Sequence, residues 1–117
     1  MTLEGTLDVT VSTADGGSST VEFAFTVTNA GSETVDLQFS DAAKAEFVVR
    51  EGDREVWRFT EGRVFAQMLS TDRLEPGAST TYDGEWDDPR PGAYTAVAEL
   101  RTREVVCAAR AEFEVDG

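Results

Sequence analysis

At 117 residues with 40% hydrophobic content, the chain is sized for one domain with a real core, expected to span residues 1–117. It carries 23 Asp plus Glu against 10 Lys plus Arg, a formal net charge of −13. A field of that sign repels nucleic-acid phosphates and anionic lipid, so neither is an expected partner.

The basic residues are almost all arginine, with Lys44 the single lysine. An acid-rich, lysine-poor surface suits a cytoplasm of high salt. There screening reaches only about 3 Å at 1 M, and self-repulsion costs little. The acids are scattered and not set in rows, which argues against mimicry of a nucleic acid. The compact state is therefore expected to melt higher at about 2 M KCl than at about 0.05 M. A melting temperature that ignores salt would count against this halophile-like reading.

A single cysteine, Cys107, excludes an internal disulfide. No apolar run approaches the roughly 18 residues a bilayer span needs, and residues 1–5 show no charged-then-apolar leader. The chain reads as cytoplasmic. It has no histidine, which removes Ser–His and Cys–His nucleophiles and the commonest transition-metal ligand. One cysteine without histidine cannot build a zinc site, and no D-x-D-x-D-G loop offers calcium its ligands. Carboxylate pairs such as Asp87 with Asp88, or Asp15 with Glu22, read as solvated surface. The residues predict neither an enzyme nor a cofactor.

Apolar residues recur at a spacing of two between Gly, Asn, Asp and Pro breaks. Leu3, Leu7, Val9 and Val11 predict a first strand, and ADGGSS at 14–19 a flexible turn. Val21, Phe23, Phe25 and Val27 alternate with Glu22, Ala24, Thr26 and Thr28, the clearest half-buried strand. After Asn29-Ala30-Gly31-Ser32, the residues Val35, Leu37 and Phe39 predict a third. SDAAK at 40–44 is too short for more than a helical turn.

Phe47 and Val49 lead through Glu51-Gly52-Asp53 to Val56 and Trp57, a hairpin with a short glycine loop. The run EVWRFTEGRVFAQ at 55–67 is the densest stretch: Val56, Trp57, Phe59, Val64 and Phe65 predict a core hairpin turning at Glu61-Gly62. Residues 70–79 read as a connector in which Pro76-Gly77 suits a type II turn. Tyr82, Gly84 and Trp86 mark another strand, DDPRPG at 87–92 a stiff loop, and Tyr94, Ala96, Ala98 and Leu100 a strand beyond it. A turn over Thr102-Arg103 leads into a long last strand from Val105 to Val115, where Cys107 has the inward parity of a small buried thiol. About eight short strands at roughly ten-residue spacing predict an all-β antiparallel sandwich.

The order Val56-Trp57-Arg58-aromatic-Thr-acid-Gly-x-x-Phe65-x-Gln67, then Pro76-Gly77, Trp86 and Pro-Gly-x-Tyr94, resembles the BsuPI-type intracellular proteinase inhibitor family. The chain departs from that pattern at 40–44 and at Phe59-Thr60. The resemblance implies an immunoglobulin-like sandwich, and reversible binding to a protease, expected to be subtilisin-like. Trp57, Phe65, Gln67, Pro76, Gly77, Trp86 and Tyr94 are its motif residues and are expected to be structural. Gln67 either bonds a neighbouring backbone group or faces a partner. The candidate protease-facing loops are Glu61-Gly62-Arg63 and Asp87-Asp88-Pro89-Arg90-Pro91, the second stiffened by its prolines. The alternative function is a non-inhibitory adaptor, and a monomer is the favoured state.

Overall fold

The computed structural model describes residues 2–14, 16–102 and 105–116. Among them lie nine antiparallel strands and no helix. They are β1 (Leu3–Thr13), β2 (Ser19–Asn29), β3 (Val35–Phe39), β4 (Ala45–Glu51), β5 (Arg54–Arg58), β6 (Ser70–Leu74), β7 (Ser79–Asp87), β8 (Gly92–Leu100) and β9 (Ala108–Val115). One sheet runs β1-β2-β7, a second β5-β4-β8-β9, and β3 pairs with β6. This is an immunoglobulin-like β-sandwich.

Period-two alternation builds it. Val21, Phe23, Phe25 and Val27 of β2 are buried, while Glu22 stays exposed on the other face. From the opposing sheet Phe47, Val49, Ala96 and Ala98 meet them. Phe23 stacks on Phe47 with centroids 5.6 Å apart, so the two sheets touch ring to ring.

Asn29 is fully buried and organises one end of the sandwich. Its Nδ2 donates to the carbonyls of Glu33 at 2.7 Å and Leu74 at 2.9 Å, and its Oδ1 accepts from Gly31 N at 3.0 Å. Its own backbone exchanges bonds with the next turn: Gly77 N donates to Asn29 O, and Asn29 N to Ala78 O. That turn is closed by Ala78 N donating to Glu75 O, with Gly77 at φ 82°, the positive value that a type II turn demands at its third residue.

Four expectations are corrected. Residues 70–74 are a strand, not a connector: polar alternation hid it, since only Leu74 among them is buried. The stretch 63–69 forms no strand, so the dense run is one edge strand followed by irregular chain. The last strand starts at Ala108; Val105 and Cys107 are buried before it. Residues 40–44 make bends and no helical turn, with Asp41 Oδ1 accepting from Ala43 N. The expected hairpin turn at Arg103 and the pair involving Asp15 lie outside the described residues.

Lys44 bonds Asp72 Oδ1 at 3.1 Å, and Tyr82 donates its hydroxyl to Asp72 Oδ2 at 2.7 Å. Burial, then this hydrogen bond, pushes the Tyr82 hydroxyl far above the ordinary tyrosine range. The folded state thus holds the proton more tightly than the unfolded chain. Its stabilising contribution is complete below about pH 10 and is lost as pH rises beyond it. Thermal melts across the alkaline range should fall less steeply in Tyr82→Phe than in the parent. Burial raises Tyr94 as well, so part of the fall should remain. Identical alkaline slopes would remove Tyr82 from the account.

Candidate functional site

Edge strands β5 and β7 face each other along one side of the sandwich, and aromatic rings close that seam. The row runs Phe65–Phe59 at 5.8 Å, Phe59–Trp57 at 6.2 Å, Trp57–Trp86 at 5.8 Å and Trp86–Tyr94 at 5.2 Å between centroids. Trp57 also stacks on Phe23 at 5.6 Å, tying the row to the core. Trp57 and Phe65, expected to be largely buried, are half-buried instead. An edge strand has a neighbour on one side only, so its rings seal the flank and stay partly exposed.

The chain leaving β5 is pinned from beneath. Period two points Phe47 into the core and its neighbour Glu46 to the opposite face, where it is 8% exposed. Its carboxylate accepts from Thr60 N at 3.2 Å, from the Thr60 hydroxyl, and from Phe47 N at 3.1 Å, with Arg58 Nη1 3.4 Å away. Arg58 also binds Glu55 at 2.8 Å; that bond holds the Glu55 carboxyl below and the Arg58 guanidinium above their usual ranges. Phe59 N donates to Phe47 O, and Glu61 N to Arg58 O. Gly62 follows at φ 74°, as the glycine at that turn predicts.

Glu61, Gly62 and Arg63 are exposed on this pinned turn. The Arg63 guanidinium carbon lies 4.7 Å from the centroid of Phe59. Phe59 and Arg63 wall a shallow cleft of about 480 Å³ whose other side carries Asp8, Glu22, Asp83 and Glu85. Asp87 beside Glu85 pushes the Glu85 carboxyl above its usual range.

The second candidate loop is held at three points. Asp88 N donates to Ser19 O at 3.0 Å, Pro89 is buried, and the Tyr94 hydroxyl donates to Arg90 O. Asp88 sits at φ 52°, a left-handed conformation uncommon outside glycine and affordable for Asp. Asp87, Asp88, Arg90 and Pro91 are exposed. Pro89, grouped with them on the sequence, is an internal anchor of the loop and presents no face to a partner.

Trp57, Phe65, Trp86 and Tyr94 therefore meet as one row with a candidate loop near each end. Pro76 and Gly77 do not join them: they lie beyond the Ser79 end of β7, a strand of nine residues, roughly 27 Å from Asp87. Gln67 is exposed.

Val64, expected in a core hairpin, is exposed instead, and among the described residues 64–69 holds most of the exposed large apolar side chains. Val64 is 99% exposed, Leu69 87% and Met68 54%. A signal is present: in VFAQML four of six uncharged residues are large and apolar, without the polar alternation of a half-buried strand. It was read as half of a hairpin because no rule of alternation distinguishes a short strand from an extended free segment.

A family model for the BsuPI intracellular proteinase inhibitors matches residues 5–105. The chain belongs to the BsuPI intracellular proteinase inhibitor family. The match spans every strand from β2 to β8 and the whole aromatic seam. No curated protein matches the sequence significantly. Among solved structures, a β-glucuronidase of Bacteroides uniformis aligns with a TM-score of 0.55 at 12% identity, over 94% of this chain and 13% of that one. A β-glucosidase of Kluyveromyces marxianus aligns at 0.54 and 16% identity, over 99% of this chain and 14% of that one. This chain thus spans about a seventh of those enzymes' length, and the likeness is one of β-sandwich fold alone. Among the described residues no helix is long and apolar enough to cross a membrane.

Proposed function

We propose that this chain acts as a single domain, 1–117, that reversibly inhibits a subtilisin-like serine protease inside the cell. The contact surface is the seam side of the sandwich, with Glu61, Gly62 and Arg63 at one end and Asp87, Asp88, Arg90 and Pro91 at the other. Family membership over residues 5–105 carries the reading. The pinned loops support it: a surface ordered before binding loses little conformational entropy on docking. The acidic composition, with net charge −13, supports an activity at high salt.

The test is residual peptide hydrolysis by an intracellular subtilisin-like protease at molar KCl, titrated with the folded chain. Stoichiometric, reversible inhibition with the chain recovered intact is expected. Exchanging 61–63, or the exposed Asp88, Arg90 and Pro91 with the buried Pro89 kept, for Gly and Ser should weaken inhibition about tenfold, since ordering then falls at the moment of binding, while the melt stays nearly unchanged. If neither exchange alters inhibition, both loop assignments fail. If the intact chain is digested as an ordinary substrate, the inhibitor reading gives way to an adaptor.

A further inference from the structure

We infer that residues 64–69 are the segment that enters the protease, lying in the substrate cleft of an endopeptidase that prefers large apolar side chains. This rests on the inhibitor reading and names the part of the surface that does the blocking.

Three independent features single the segment out. The first is exposure. Val64, Met68 and Leu69 are three of the four exposed large apolar side chains among the described residues, the fourth being Val106. Large apolar groups clustered in one short exposed segment mark a surface meant to be covered. The second is charge. The segment is uncharged, like several other runs of this chain of net charge −13. Among the described residues it alone joins that neutrality to exposed large apolar side chains, so it offers an uncharged apolar insert to a cleft.

The third is backbone. From 63 to 69 the chain makes no turn and no bend, and joins no sheet. Its backbone groups are therefore left out of the sheet ladders, where they can add main-chain hydrogen bonds to a cleft edge while side chains fill pockets. Two anchors tie it to the body of the sandwich. The Phe65 ring leans on Phe59, and Ala66 O accepts from Ala42 N at 2.9 Å. At Ser70 the chain is recaptured by β6, opposite Phe39 of β3. Val64 thus projects before the anchors and Met68 and Leu69 after them. Binding is non-covalent, and the pinned ends oppose the separation of chain ends that cleavage requires.

The experiment measures inhibition constants and melting temperatures for Val64→Asp, Met68→Asp and Leu69→Asp beside Ser32→Asp, which adds the same charge near the other end of β3. Two proteases are used: an intracellular subtilisin-like enzyme that cleaves after large apolar residues, and a serine endopeptidase specific for Arg and Lys. The expected result has four parts. The parent inhibits the first enzyme and not the second; at least one segment variant weakens inhibition about 100-fold; Met68→Leu retains it; and all melts coincide within error. Parent-like inhibition by all three Asp variants overturns the inference and leaves the inhibitor reading standing. Equal inhibition of the Arg/Lys-specific enzyme overturns the apolar pocket class. Failure of the parent to inhibit either enzyme overturns both readings together.

Discussion

Phe23→Ala is expected to lower the free energy of unfolding by about 3–5 kcal/mol, the range of aromatic truncations in closed cores. Phe23 is 1% exposed and touches both sheets: its ring lies 5.6 Å from those of Phe47 and Trp57 and 6.1 Å from Phe113. Removing it empties a space that β2, β4, β5 and β9 all line, and backbone held in two sheets relaxes little to fill it. Such a loss is a large part of the roughly 5–15 kcal/mol that holds a domain folded. Trp57→Ala should cost less, about 2–3 kcal/mol, because Trp57 is only half-buried and only part of its area is removed from water. Denaturant unfolding of both variants at fixed molar KCl decides this. A larger loss for Trp57→Ala would mean that the aromatic seam, not the interior, supplies most of the stability.

That ordering shows where the sequence could be read and where it could not. Val21, Phe23, Phe25 and Val27 announce β2 because a strand with one wet face must alternate, and Glu22 marks that wet face. β4 gives half of such a signal: Phe47 and Val49 mark its inward face, but Glu46 and Val48 on the other face are buried too, so both faces are covered and a carboxylate stands where parity alone would place water. β6 is missed for the opposite reason, since Ser70, Thr71, Asp72 and Arg73 carry nothing apolar and the strand exists through its pairing with β3. Turn chemistry is local and so was legible, as Gly62 and Gly77 show with their positive φ angles.

The site divides the same way. The motif spacing of Trp57, Phe65, Trp86 and Tyr94 encodes a physical object, a row of rings sealing two sheet edges. Which motif residues share the row and which stand apart, as Pro76 and Gly77 do, depends on strand length and register. Pro89 misled because proline in a charged loop looks solvent-facing, whereas burial of its ring is what fixes the loop. Val64, Met68 and Leu69 were hidden by the ordinary rule that apolar residues go inside, which holds only where the chain has a neighbour to bury them against.

Glu46→Leu is the second large effect expected, and the one that separates fold from function. Leucine keeps most of the volume but removes every acceptor from the floor of the turn. The Thr60 amide and hydroxyl lose their partner, and Arg58 keeps only Glu55. Leaving buried donors unpaired costs about 1–3 kcal/mol each where water cannot reach them. Arg58 is partly exposed and recovers water, so the total should be about 2–3 kcal/mol, with Glu46→Gln losing less because its amide oxygen can still accept from Thr60 N. Well below the melting temperature both variants stay folded, and there the site can be tested alone. The turn carrying Glu61, Gly62 and Arg63, and the segment that leaves it at Val64, start from Thr60. With that residue released, Glu46→Leu should inhibit about tenfold more weakly than the parent, the cost of ordering the turn on contact, while Glu46→Gln stays within about threefold. A Glu46→Leu variant that melts lower yet inhibits as well as the parent would show that the buried carboxylate serves the fold only, and that the turn above it does not need to be held to bind.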